Sequence, residues 1–206
     1  AQKKSMRSAS DGLITVNITD NIGVILEINS ETDFVAKNEV FQSFCESISN
    51  LCIKEKINSV DLLMDSTFSD KGLSVKDELT NLISKLGENI IIKRLNFIDK
   101  NCFLQKYLHN SVSHSSGKLG VLLCFKADKI NSEIEELSKN ISMHIAASEP
   151  KSLDIDSLDV SLISREKDIY KEQLKSSGKS DEILDKIISG KIGKYYEEVC
   201  LLEQFF

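Results

Sequence analysis

The run Gly23-Val24-Ile25-Leu26-Glu27-Ile28-Asn29, followed almost at once by Glu31-Thr32-Asp33-Phe34-Val35-Ala36-Lys37-Asn38, sets a strand against the start of a helix. The first run is compact and rich in Val and Ile, residues that suit a pleated surface, and it predicts a β-strand. In the second, Thr32 is a good N-cap, and Asp33 stands in the first turn, where free N–H groups and the helix dipole favour a carboxylate. The apolar stripe that follows, Val40, Phe41, Phe44, Ile48 and Leu51, gives a helix running from Thr32 or Asn38 to about Ile53 its core-facing side. Phe34 is not needed to complete that stripe. Two readings of it stand: an aromatic tucked under the strand end like a staple, or an outward wedge for a partner.

The strand has a second copy. Asn21-Ile22-Gly23-Val24-Ile25-Leu26-Glu27-Ile28-Asn29 aligns with Lys118-Leu119-Gly120-Val121-Leu122-Leu123-Cys124-Phe125-Lys126. Each run follows a strand and a polar turn, and each leads into an amphipathic helix, the second carrying Ile134, Leu137, Ile141 and Ile145. The pattern predicts an α+β protein of two similar subdomains, residues 1–102 and 103–206, each a small antiparallel sheet packed with helices. A solenoid would need several short units instead.

Working outward, Ala1 to Ser10 reads as a helix end stopped at Asp11-Gly12, Leu13 to Thr19 as a strand, and Asp20-Asn21 as the turn into the first run. A short helical piece is expected near Ser59 to Met64. Ser74 and Asp77 have capping-box spacing ahead of Val75, Leu79, Leu82, Ile83 and Leu86, Gly87 ends that helix, and Asn89 to Ile98 completes the first sheet. Past Pro150 the spacing predicts an antiparallel helical hairpin inserted at about 155–195, with helices Asp159 to Ser177 and Ser180 to Ile188 parted by Gly178. Its seam, Ile163, Tyr170, Leu174, Ile183 and Ile187, is thin, which suits an arm that packs on a second copy or on another protein. Tyr195 to Leu202 is expected to return to the second sheet.

Composition narrows the function classes. A chain of 206 residues with 41% hydrophobic and 28% charged residues fits an ordinary globular protein, and a net charge of -6 argues against a phosphate-dominated nucleic-acid binder. No apolar run approaches the ~20 residues that span a bilayer, and the first residues lack the apolar region of a signal peptide. The expected compartment is the cytoplasm, with an organellar matrix as the other that fits. Cys45, Cys52, Cys102, Cys124 and Cys200 are odd in number and never paired as C-x-x-C, so reduced core fillers are expected and not a disulfide framework or a zinc site. His109, His114 and His144 lack metal-ligand spacing, and Ser115-Ser116-Gly117-Lys118 and Gly190-Lys191 both fail the phosphate-loop pattern. No catalytic group, metal or cofactor is expected, and nothing sets a base beside Cys45 or Cys124.

Thr32 to Asn38, placed after a Gly-led apolar strand, resembles the signature of the elongation factor Ts family. Further stretches agree in the family's order: Asp11-Gly12-Leu13, Gly87-Glu88-Asn89-Ile90, Tyr107 to His109, Gly120-Val121-Leu122 and Met143-His144-Ile145-Ala146-Ala147. The resemblance covers nearly the whole chain, and Thr-Asp-Phe-Val-Ala is its specific part. It implies a guanine-nucleotide exchange factor that binds elongation factor Tu, GDP-bound or nucleotide-free, and promotes GDP release by dislocating its magnesium, holding no nucleotide itself. The implied contact residues are Thr32, Asp33, Phe34, Val35, Leu86, Gly87 and His109, with Asp33 and Phe34 as the intruding tip. The hairpin is similar to the family's dimerisation arm, which implies a homodimer. Leu86 stands where Ile is common, and the family's leading three-helix module of the ubiquitin-associated type is not in this sequence. Many members read Gln-Pro-Phe and continue where this chain has Gln204-Phe205-Phe206. From the residues alone a second reading stands, a dimerising assembly or scaffold module without exchange activity.

Overall fold

Strand β1 (Asp11–Thr19) turns at Asp20-Asn21 into β2 (Ile22–Ser30), and β3 (Ile90–Asp99) pairs on the other side of β2, all antiparallel. The computed structural model describes residues 7–68, 72–175 and 180–206. Between β2 and β3 run α1 (Asp33–Ala36), α2 (Glu39–Glu55), α3 (Val60–Asp65) and α4 (Val75–Leu86). Residues alternate across a strand, so Leu13, Val24, Leu26, Ile28, Ile90 and Ile92 share one face. That face packs on Phe41, Phe44, Cys45, Ile48 and Cys52 of α2 and on Val75, Leu79 and Leu82 of α4. The two cysteines complete the α2 stripe, while Val40 is exposed. The capping box forms as expected: the Ser74 hydroxyl accepts from the Asp77 N–H at 3.1 Å, and the Asp77 carboxylate accepts from the Ser74 N–H.

A second hairpin, β4 (Phe103–Ser111) with β5 (Ser116–Phe125), follows. The two expected sheets are joined. β1 pairs with β5 at Ile14–Gly117 and Thr15–Ser116, which gives one five-stranded sheet in the order β3-β2-β1-β5-β4. Val16 N–H donates to Ser115 O at 2.8 Å, and the buried Thr15 and Ser116 hydroxyls lie 2.8 Å apart. Beyond this joint the second hairpin closes over the reverse face of β1 and β2. A Cβ at Gly120 would stand 2.6 Å from Ile14 Cγ2 and 2.9 Å from Val16 Cγ2, and one at Gly23 would stand 2.9 Å from Leu104 Cδ1. Gly23 and Gly120 hold the same place in the two repeated runs, so each hairpin supplies the gap that the other's apolar side chains fill.

Other expectations change. Arg7 to Ser10 is not helical, and the rest of that expected helix lies outside the described residues. In α5 (Ser132–Ser148) the buried residues are Ser138 and Ser142, while Leu137 is exposed. Each serine hydroxyl donates at 2.8 Å to a carbonyl of its own helix, which lets a small polar residue turn inward without an unpaired donor.

Contacts divide the chain into two units, residues up to Ala146 and Ala147 to Phe206. The expected boundary at 102/103 falls inside the first, at the start of β4. In the second unit, α6 (Val160–Leu174) and α7 (Asp181–Val199) make the expected hairpin, and the expected break at Gly178 lies outside the described residues. α7 runs eleven residues past Ile188, so its buried positions are Ile188 and Ile192 and not the expected Ile183 and Ile187. Tyr195 to Val199 are the last turns of α7 and not a strand. Cys200 makes a single bridge to Ser152, and a short 3₁₀ turn spans Leu201–Glu203.

Candidate partner-binding site

The site begins where the β2–β3 ladder ends. The last backbone pairs are Asn29–Ile91 and Ser30–Ile90, and continuing that register sets Glu31 opposite Asn89 and Thr32 opposite Glu88. Side chains take over there. Asn89 N–H donates to Glu31 Oε1 at 2.6 Å, Thr32 N–H donates to Glu88 Oε2 at 3.0 Å, and the Thr32 hydroxyl donates to Glu88 Oε1 at 2.6 Å. The Arg7 guanidinium lies 3.6 Å from Glu31, and the Asn89 amide donates to Arg7 O at 2.8 Å. Gly87 makes this geometry available. At φ 82 it ends α4 in the left-handed region, where a residue without Cβ is unstrained, and it turns Glu88 toward Thr32.

Thr32 occupies the N-cap position of α1, but its hydroxyl makes no cap bond. The hydroxyl donates to the Glu88 carboxylate instead, a charge-assisted bond that fixes the side chain away from the α1 N–H groups. Of the two expected helix starts, Asn38 opens the long helix and Thr32 opens a separate short one. α1 stops after Ala36, and the Asn38 side chain caps α2 by accepting from Val40 N–H at 2.9 Å.

α1 points its residues in opposed directions. Val35 and Ala36 are buried in the core, Asp33 bonds Lys37 one turn on at 2.7 Å, and Phe34 is 77% exposed. The hydrogen bond that the Lys37 ammonium donates to Asp33 holds its pKa above the ordinary range. Phe34 thus stands in solvent beside a carboxylate while Val35 and Ala36 of the same helix face the core. Leu86, Gly87 and Glu88 are half-buried beside this tip. His109 stands exposed on β4, with its Nδ1 3.1 Å from the Tyr107 hydroxyl.

Nothing here supports nucleophilic chemistry. Burial pushes the Cys45 thiol far above its ordinary range and that of Cys52 up to about 12, the opposite of a reactive thiolate. Among the described residues no group of His, Cys, Asp or Glu could hold a metal ion, and no helix is long and apolar enough to cross a membrane.

The family model described as Elongation factor TS matches residues 31–206, which begin at the clamp itself. The chain belongs to the elongation factor Ts family. Among curated relatives, Elongation factor Ts of Rhodospirillum centenum is 40% identical over all of this chain and 67% of its own length. That of Clostridium acetobutylicum is 42% identical over 99% of this chain and 66% of its own length, and that of a Wolbachia from Brugia malayi is 38% identical over 100% and 71%. The chain thus spans about two thirds of the length of these Elongation factor Ts relatives.

The positions missed in the sequence are Glu31, Glu88 and Asn89. Their signal was present as two acid-polar pairs, Glu31-Thr32 after one strand and Glu88-Asn89 before another, but it becomes readable only once those strands are known to be antiparallel neighbours.

Proposed function

We propose that this protein is a guanine-nucleotide exchange factor that binds elongation factor Tu and speeds GDP release in the cytoplasm during protein synthesis, acting by contact and not by covalent catalysis. The observation that carries the reading is the 77% exposed Phe34 on a clamped four-residue helix, within the stretch that marks the family. Asp33 and Phe34 form the tip, Val35 is its buried anchor, Thr32 supports its base, and Leu86, Gly87 and His109 line the same contact. Burying the phenyl ring in an apolar slot is worth about 1.5–3 kcal/mol, enough to offset part of the cost of displacing loops around a partner's magnesium and phosphates. Linkage then requires that GDP weaken factor binding by the same ratio that the factor weakens GDP.

A second reading, a dimerising assembly module without exchange activity, draws on the exposed Val160, Ile169 and Ile183 of the hairpin. Fluorescent GDP preloaded on elongation factor Tu separates the two. Release accelerates with added chain under the first reading, and an unchanged rate with a concentration-dependent dimer in sedimentation supports the second.

A further inference from the structure

We propose that Glu88 is a positioning residue for the Phe34 tip: by holding Thr32 with both carboxylate oxygens, it sets the angle at which α1 presents the ring. The inference rests on the exchange reading above. A helix of four residues cannot hold itself, because nucleation is not repaid over one turn. The orientation of α1 must therefore come from its two ends. At the far end Asn38 N–H donates to Val35 O at 2.9 Å and the Gln42 amide donates to Ala36 O at 3.1 Å, which ties α1 to α2. At the near end Thr32 is fixed at three points. Its N–H and hydroxyl donate to the two oxygens of Glu88 at 3.0 Å and 2.6 Å, and its carbonyl accepts from the Ser30 hydroxyl at 2.9 Å.

Glu31 makes the neighbouring bonds, but they run to Asn89 and Arg7 and so brace the loop, not the helix. Glu88 alone of the two acids reaches the residue next to α1. Glutamine is a weaker substitute, because its one acceptor oxygen takes the Thr32 N–H while its NH2 can reach only the lone pairs of the Thr32 hydroxyl, which leaves two neutral bonds in place of two charge-assisted ones. Loss of Glu88 thus frees the tip without touching it.

The test is labelled-GDP release from elongation factor Tu against chain concentration, with folding followed by thermal melts. Glu88→Gln is expected to slow maximal release roughly tenfold, the scale of charge-assisted hydrogen bonds made neutral. In a Phe34→Ala background Glu88→Gln is expected to add nothing, since a tip without its ring has no angle to lose. Thr32→Val serves as the second variant should Glu88→Gln fold poorly, and it is expected to show the same dependence on Phe34. If the parent speeds release and Glu88→Gln does so equally, or slows it by the same factor with and without Phe34, Glu88 only stabilises the fold and the positioning role is overturned. If the parent leaves release unchanged, the exchange reading fails first and this role falls with it.

Discussion

Phe34 and Phe41 lie seven residues apart on consecutive helices, one in water and one with no exposed surface, so the same truncation has opposite consequences at each. Phe41→Ala leaves a cavity among the core side chains of β1, β2 and α4 and should cost about 3–5 kcal/mol. Phe34→Ala removes a ring that touches little of its own chain and should stay within about 0.5 kcal/mol while abolishing most nucleotide release. Melting curves and release rates measured on both variants check this. A Phe34→Ala variant that melts as low as Phe41→Ala would place the ring in the core and end the wedge reading. The complete α2 stripe left two directions open for Phe34 in the sequence, and its exposure decides for the outward one. The Thr32 side chain was not legible, because a hydroxyl at an N-cap position and one bonded to a distant glutamate have the same local sequence.

At the scale of elements, Gly→Ala has opposite signs in two places. At Gly120 the added methyl would meet Ile14 and Val16 at 2.6 Å and 2.9 Å, and Val16 is fully buried on a strand with no room to withdraw. Overpacking of this kind costs about 1–3 kcal/mol. At Gly190, inside α7, a Cβ meets nothing, so Gly190→Ala should stabilise by about 0.4–1 kcal/mol through helix propensity and a less free unfolded chain. Urea titrations of the two variants are expected to move to opposite sides of the parent, and a shift of Gly120→Ala to higher urea would refute the close approach of the two hairpins. The repeat that aligned Gly23 with Gly120 was readable, as were the strands, the α4 capping box and the turn at Asp20-Asn21, since each carries its own local pattern. What joins them was not. The β1–β5 pairing rests on Ile14, Thr15, Ser116 and Gly117, residues about a hundred positions apart with no periodicity linking them. The length of α7 was missed because Gly190 and Gly193 lower helix propensity past Ile188, a cost that burial of Ile188 and Ile192 outweighs.

For the whole molecule, the decisive fact is where the apolar core lies. The cluster formed by the sheet, α2 and α4 draws every member from residues before Ala147, and it includes the largest fully buried side chains, Phe41, Leu26, Ile28 and Ile48. In the second unit Leu158, Ile188, Ile192 and Cys200 are buried. The division falls in the last turn of α5, and that helix ends two residues on, where Glu149 takes φ 48 and Pro150 follows, a pairing that cannot continue a helix. A fragment ending at Glu149 is therefore expected to fold alone, with a single cooperative melt and native-like dispersion of its amide resonances, because the surface that drives its collapse is all present. The hairpin fragment, from Pro150 onward, buries only a thin seam and is expected to show a shallow, low-temperature transition. Truncation leaves the Thr32–Glu88 clamp and Phe34 in the first fragment, so under the exchange reading this fragment should still speed GDP release, at higher concentration than the whole chain if the hairpin adds contact area. A first fragment without a cooperative transition would mean that the sheet core depends on residues beyond Glu149, and the division at Ala146 would then describe contacts but not folding.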